Sequence, residues 1–318
     1  MPKKVINSII SKIPLGRGSI NKRIIKVDEL IRNYEDISKD ERENLLKNFA
    51  TDRNPYIRGR VSEVLTNNFN IISEDTRNRV MYTLGSDDKI PFGRTFISGT
   101  LDPHFREIPE DLREHCLDEF YKNSISDVRF DCATIIFHYY DDIPSQISGK
   151  IMTKLSQDPI RAVRQRVSEI WRENFKKLPE ELRENLLKKF SEDHDKHIVH
   201  NVSRVVFRYF YEINENTREM LLKKLVRSKY VPTRIKVAAA LELHFDSISD
   251  AARNEILIKF EYDAEPKIKF YVNRVLGKNL NKIPPEVAAL FGHFNEHKIL
   301  DLELHEDFEG NKVIEFED

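Results

Sequence analysis

Two histidines four residues apart enclose a glutamate in the string His293-Phe294-Asn295-Glu296-His297. On a helix that spacing puts both imidazoles on one face around a zinc ion, with the carboxylate placed as a general base. Catalysis would also need a third protein ligand and an enclosing fold, and the stretch after His297 reads as an end cap. A second cluster, Asp193, His194, His197 and His200, gathers imidazole nitrogens of the kind that zinc or nickel take. Its spacing fits no established zinc pattern, and a solvated turn with histidines in place of a basic residue is the simpler account. Cys116 and Cys132 occupy positions that Leu, Ile and Val hold elsewhere in the chain, which makes them core residues rather than nucleophiles. No glycine-rich phosphate loop, dinucleotide fingerprint or C-x-x-C string occurs. The expectation is a chain with no catalytic residues, no metal and no cofactor, that is, not an enzyme.

The elements that hold these residues repeat. Ile37, Ile72, Ile108, Ile143, Leu178, Ile213, Ile248 and Ile283 recur every 35 residues, with one interval of 36 that an inserted residue near 89–93 absorbs. Each unit opens with a turn and a helix start, as in Leu178-Pro179-Glu180-Glu181, where proline suits the first turn and acids favour the positive end of the helix dipole. Leu45, Val80, Cys116, Ile151, Leu186, Leu221 and Ile256 share one register, with Phe49, Leu84, Phe120, Leu155, Phe190, Leu225 and Phe260 four places on. Such pairs build one apolar helix face. A polar break follows at Asp52, Asp87, Asn123, Asp158, Asp193, Ser228 and Asp263, and then a second helix carries Val61, Leu65 and Phe69 and their equivalents. Trp171 sits in the Leu65 row, so it reads as core. Ser62, Ser98, Ala133, Ser168, Ser203, Ala238 and Asn273 form a row of small or slim side chains where neighbouring helices come close.

A helical pair this short cannot bury its faces alone, and stacking seven of them makes a continuous core. The predicted fold is all-α, a right-handed α-α superhelix of about seven helical-hairpin repeats with a small hairpin-like C-terminal extension. The domains read as a basic N-terminal helical cap over 1–36, the repeats over 37–282, and an acidic cap and tail over 283–318. Within the tail, Leu300, Leu302 and Leu304 alternate with acids ahead of a Glu309-Gly310-Asn311 turn, a strand hairpin by pattern.

On these features the chain resembles HEAT-like repeat proteins, over residues 37–282. An acid in the turn is followed six places later by a basic residue in the second helix: Asp52 with Arg58, Asp88 with Arg94, Asp158 with Arg164. Weaker forms are Asn123 with Arg129, Ser228 with Arg234 and Asp263 with Lys269. The resemblance implies that these form a ladder tying adjacent repeats. Val199 stands where the fifth repeat should have its arginine, so that rung is expected to be missing. Some HEAT-like proteins are alkylpurine DNA glycosylases that use exposed tryptophans and an aspartate; with one tryptophan, on a core row, their catalytic residues are not carried over.

Partner choice must come from local patches, because 52 basic and 53 acidic side chains leave a formal charge of −1. That balance excludes a dense nucleic-acid coat. Two cysteines exclude a disulfide framework, and no apolar run is long enough to span a bilayer, so a cytoplasmic chain without a membrane span is expected. Residues 1–36 carry +4 and residues 283–318 carry −8. In HEAT-like stacks the second helices line the concave side, and there Arg166, Arg204, Arg208, Lys236, Tyr271, Arg274 and Lys278 point away from the apolar rows. This basic groove predicts a non-catalytic protein-binding scaffold or adaptor that holds an acidic partner segment. The alternative is nucleic-acid binding, in which the same cations contact phosphates. The oligomeric state is left open.

Overall fold

The computed structural model describes residues 20–87, 89 and 91–292. Among them all regular structure is helical: α1 Ile20–Arg32, α2 Lys39–Ala50, α3 Pro55–Asn68, α4 Glu74–Gly85, α5 Pro91–Leu101, α6 Glu110–Phe120, α7 Ser126–His138 and α8 Ser145–Leu155. The series continues with α9 Arg161–Glu173, α10 Glu180–Ser191, α11 Lys196–Arg208, α12 Glu215–Leu225, α13 Val231–Leu243, α14 Asp250–Phe260, α15 Pro266–Asn279 and the short α16 Pro285–Ala289. The helices alternate as first and second members of hairpins, in the phase set by the 35-residue repeat. Residues 1–19, the HxxEH string and the tail hairpin lie outside the described residues.

Local chemistry sets the helix ends. Asp52 folds the turn before α3 by accepting a hydrogen bond from the Asn54 backbone nitrogen at 2.8 Å, and the Asn54 side chain then accepts from Tyr56 N at 2.8 Å. Proline at the start of α3 and α15 fits the first turn, where its missing N–H has no helical partner to lose. Most second helices run into one turn of 3₁₀ helix, as at Phe69–Ile71 and Phe245–Ser247. That turn aims the aromatic inward and sets up the next isoleucine.

The chain divides into two compact units, 1–186 and 187–318, a boundary that falls inside α10. In the first unit the second helices α1, α3, α5, α7 and α9 pack in sequence, and the first helices α2, α4, α6 and α8 form a parallel layer against them. In the second unit α11, α13 and α15 form one layer and α12, α14 and α16 the other. The apolar rows are the core between layers: Leu45, Val80, Cys116, Ile151, Val61, Ile97 and Cys132 are buried in the first unit, and Leu221, Ile256, Val202 and Val237 in the second. Ser62, Ser98, Ala133, Ser168, Ser203 and Ala238 are buried too, where a larger side chain would push the second helices apart.

Three row members depart from the pattern. Leu280 is 56% exposed, and Tyr140 and Asn273 are half-buried. At the Tyr140 repeat, Tyr139 supplies the packing ring, stacked on Phe105 with centroids 4.4 Å apart.

Candidate partner-binding surface

The inter-repeat ladder fixes the second helices, but its connectivity differs from the six-residue pairing expected from sequence. Arg129 Nε and Nη2 donate to the two carboxylate oxygens of Asp158 at 2.6 and 2.9 Å, across 29 residues. Arg129 Nη1 meanwhile donates to the Asn123 carbonyl at 2.8 Å, six residues before it. Arg234 repeats the arrangement with Asp263 and the Ser228 carbonyl, and Arg58 with Asp87 and the Asp52 carbonyl. The residue six places back therefore offers its backbone, which explains why Asn123 and Ser228 serve as well as aspartate. The carboxylate comes from the next repeat.

Arg164 donates in the same way to Asp158 O at 2.9 Å, six places back, and Arg94 donates to Asp87 O at 2.7 Å, seven places back across the inserted residue. Asp88, expected to partner Arg94, lies outside the described residues. Burial works against charge on Asp87 and Asp263, yet the arginines and backbone N–H groups around them hold both carboxyls below the usual range. At Val199 no guanidinium is available. Instead the rings of His197 and His200 lie edge-on to Tyr230, at 5.5 and 5.6 Å, with Lys196 Nζ 5.1 Å from the tyrosine centroid. His200 is buried beside Ser203, and no group of three or more potential metal ligands occurs among the described residues.

On this scaffold, the predicted cations fall into distinct environments. Arg166, in the first unit, pairs with Glu169 at 2.8 Å, and its guanidinium lies 5.0 Å from the Phe137 centroid and 5.5 Å from that of Phe130. The second unit holds the rest. Arg204 and Arg208 lie one turn apart on α11, half-buried and exposed respectively. Among the described residues neither is joined to a carboxylate; Arg208 lies over the Tyr209 ring at 5.5 Å. Lys236 of α13 lies 5.1 Å from the centroid of Phe207, which sits on α11 between the two arginines.

The far side of this surface is different. Arg274 Nε and Lys278 Nζ on α15 both donate to Glu242 Oε1 on α13, at 3.1 and 2.6 Å. Glu242 went unread in the sequence, and it neutralises part of the predicted groove. Burial opposes its charge, but Lys278 and Arg274 keep its carboxyl below the usual range. Burial and the nearby Glu242 raise the Tyr271 phenol. The basic character is thus concentrated at Arg204 and Arg208, with Lys236 on the adjacent helix, and Leu243, 61% exposed, lies beside Glu242 on α13.

A further periodic set was also missed. An arginine eight residues after the end-of-hairpin phenylalanine lies over its ring in five repeats: Arg77 on Phe69 at 4.4 Å, Arg113 on Phe105 at 4.7 Å, Arg183 on Phe175 at 5.3 Å, Arg218 on Phe210 at 4.4 Å and Arg253 on Phe245 at 4.3 Å. Arg253 Nη1 also donates to the Phe245 carbonyl at 3.0 Å. The signal was present in the same 35-residue spacing, in rows of arginine that a search for apolar residues passes over.

Trp171 is fully buried, edge-on to Phe175 at 5.6 Å, so it offers no exposed indole to stack on a base. Cys116 and Cys132 are buried as well, and burial pushes the Cys116 thiol up to about 12. No helix among the described residues is long and apolar enough to cross a membrane.

No protein-family model matches this chain. No curated protein matches it either. Among solved structures, Cex1p aligns over 98% of this chain with a TM-score of 0.52 and 12% sequence identity. This chain spans 59% of that one. An engineered protein aligns over 96% of this chain and 91% of its own, with TM-score 0.42 and 13% identity. Kap121p bound to Nup53p aligns over 95% and 39%, with TM-score 0.28 and 11% identity. At 12% identity the likeness to Cex1p is one of fold alone: the chain is an all-α helical-repeat protein.

Proposed function

We propose that this chain is a non-catalytic protein-binding scaffold of the cytoplasm that holds an acidic segment of a partner protein on the second-helix surface of its 187–318 unit. The observation that carries this reading is the pair Arg204 and Arg208, one turn apart and without a carboxylate among the described residues, beside Lys236 on the adjacent helix. Guanidinium groups favour carboxylates through paired, charge-assisted hydrogen bonds, and arginines backed by aromatic rings lose little freedom on binding. A single-stranded nucleic acid would use the same cations but also needs free ring faces on which bases stack. Here Phe207 and Phe270 each carry a cation against the ring, Lys236 at 5.1 Å and Arg274 at 5.5 Å, which favours the protein partner.

The test uses the full chain and its Arg204→Glu/Arg208→Glu variant, since Arg274 and Lys278 are already paired with Glu242. A fluorescent glutamate-rich peptide and a single-stranded oligonucleotide serve as probes, at about 20 and about 200 mM salt. The expected result is peptide binding that weakens about tenfold or more in the variant, with helicity and melting unchanged. Equal peptide binding by both proteins refutes the reading, and arginine-dependent capture of the oligonucleotide alone replaces it with nucleic-acid recognition.

A further inference from the structure

We propose that the acidic segment 293–318 of this same chain docks on the Arg204, Arg208 and Lys236 surface and competes there with partners. The inference rests on the reading above, because it assigns that surface its first occupant. Segment 293–318 carries nine carboxylates and two lysines, with Leu300, Leu302, Leu304, Phe308, Ile314 and Phe316 interleaved among them. The surface offers the complementary set: three cations at one end, with exposed Leu243 and half-buried Tyr271 further along. Glu242, held between Arg274 and Lys278, shows how a carboxylate is received on this face.

Reach permits the contact. Residue 292 follows α16, which packs on α14 in the same unit as α11, α13 and α15. Neighbouring helices lie about 8–10 Å apart, so the path from α16 in one layer, past α15 in the other and across α13 to α11, is roughly 30–40 Å. Glu309 is seventeen residues beyond Gly292, and seventeen extended residues cover about 55 Å. The same charges would attract the segment of a second copy, but tethering favours the chain's own. A short tether between two sites gives an effective concentration on the order of millimolar. Against an intrinsic Kd of about 100 μM, that occupancy would weaken a competing acidic ligand about tenfold.

Two measurements on the full chain decide this. Carbodiimide cross-linking joins lysine to carboxylate without a spacer, and an equal mixture of ¹⁴N- and ¹⁵N-labelled protein separates links within one molecule from links between two. The expected product is a same-label link from Lys236 or Lys278 to a carboxylate in 301–318. No such link, or links only between labels, overturns docking within the chain. The second measurement compares the glutamate-rich peptide on wild type and on Glu303→Gln/Glu306→Gln/Asp307→Asn/Glu309→Gln. An affinity gain of about tenfold at low salt, lost at high salt, is expected. Equal, Arg204-dependent affinity for both proteins overturns self-occupancy while leaving the scaffold standing. Absence of peptide binding to both overturns the scaffold and self-occupancy together.

Discussion

The rung between Arg129 and Asp158 offers a direct measure of how strongly one repeat is fastened to the next. Side-chain exposure is 12% for the arginine and 3% for the aspartate, and the pair is joined by two hydrogen bonds. Arg129→Met removes both of these and the donors to the carbonyls of Asn123 and Ser124, leaving Asp158 with the Ile160 backbone N–H at 2.9 Å. Stranding one member of a buried pair costs about 3–5 kcal/mol. By contrast, the exposed pair Lys150–Asp118, at 57% and 38% exposure, belongs to the class that contributes about 0–1 kcal/mol. Native-state hydrogen exchange is the suitable assay, since repeats open locally as well as globally. A loss of 3 kcal/mol corresponds to a drop of roughly 150-fold in the protection of α7 and α9 amides. The cycle with Asp158→Asn and the double variant should return a coupling of about 2 kcal/mol. If Arg129→Met costs less than about 1 kcal/mol, no more than losing Lys150, the ladder is incidental and repeat packing is apolar.

Acid should loosen the array through the carboxylates that the folded state keeps ionised. Asp87, Asp263 and Glu43 are held below their ordinary range, so their contribution is present above about pH 4 and is lost as pH falls through the folded values, readable as declining helicity in an acid titration. The two thiols should resist a maleimide at neutral pH in the native protein and both react after unfolding, as mass spectrometry would show; rapid native labelling of Cys116 would contradict its burial. Glu242→Gln should release Arg274 and Lys278 and tighten glutamate-rich peptide binding severalfold at low salt, measured by fluorescence anisotropy.

Most of the architecture was legible because burial and repeat period state the same thing twice. Leu45, Val80 and Ile151 announce a buried row by type and confirm it by spacing, and the structure buries each of them. The ladder was legible in its members and not in its wiring. Sequence adjacency suggested that Arg129 belonged with Asn123, whereas its bond to Asp158 is a through-space fact about the next repeat. Glu242 escaped for a related reason: a reading confined to cations along second helices does not register the one carboxylate facing them across α13 and α15. At the other end, Arg23 pairs with Asp52 at 2.9 Å, and Arg42 lies 4.7 Å from the Tyr34 centroid. These are the contacts of a second helix in mid-array, 29 and eight residues apart as elsewhere. We propose that the repeats begin before Ile37 and that α1 is the second half of an earlier one.

The arithmetic of the rung has a genealogical meaning. Arg58, Arg129 and Arg234 each reach a carboxylate 29 residues ahead and a carbonyl six residues behind, and the two offsets sum to the repeat length of 35. A duplication of one full period that spans such a rung therefore copies the arginine, its carboxylate and its carbonyl at the same offsets. A change of any other length shifts these offsets, as at Arg94, whose carbonyl partner Asp87 lies seven residues behind. Such an array can lengthen in a single genetic step with its joints already formed, and the 36-residue interval near 89–93 records the one place where this chain has strayed from the measure.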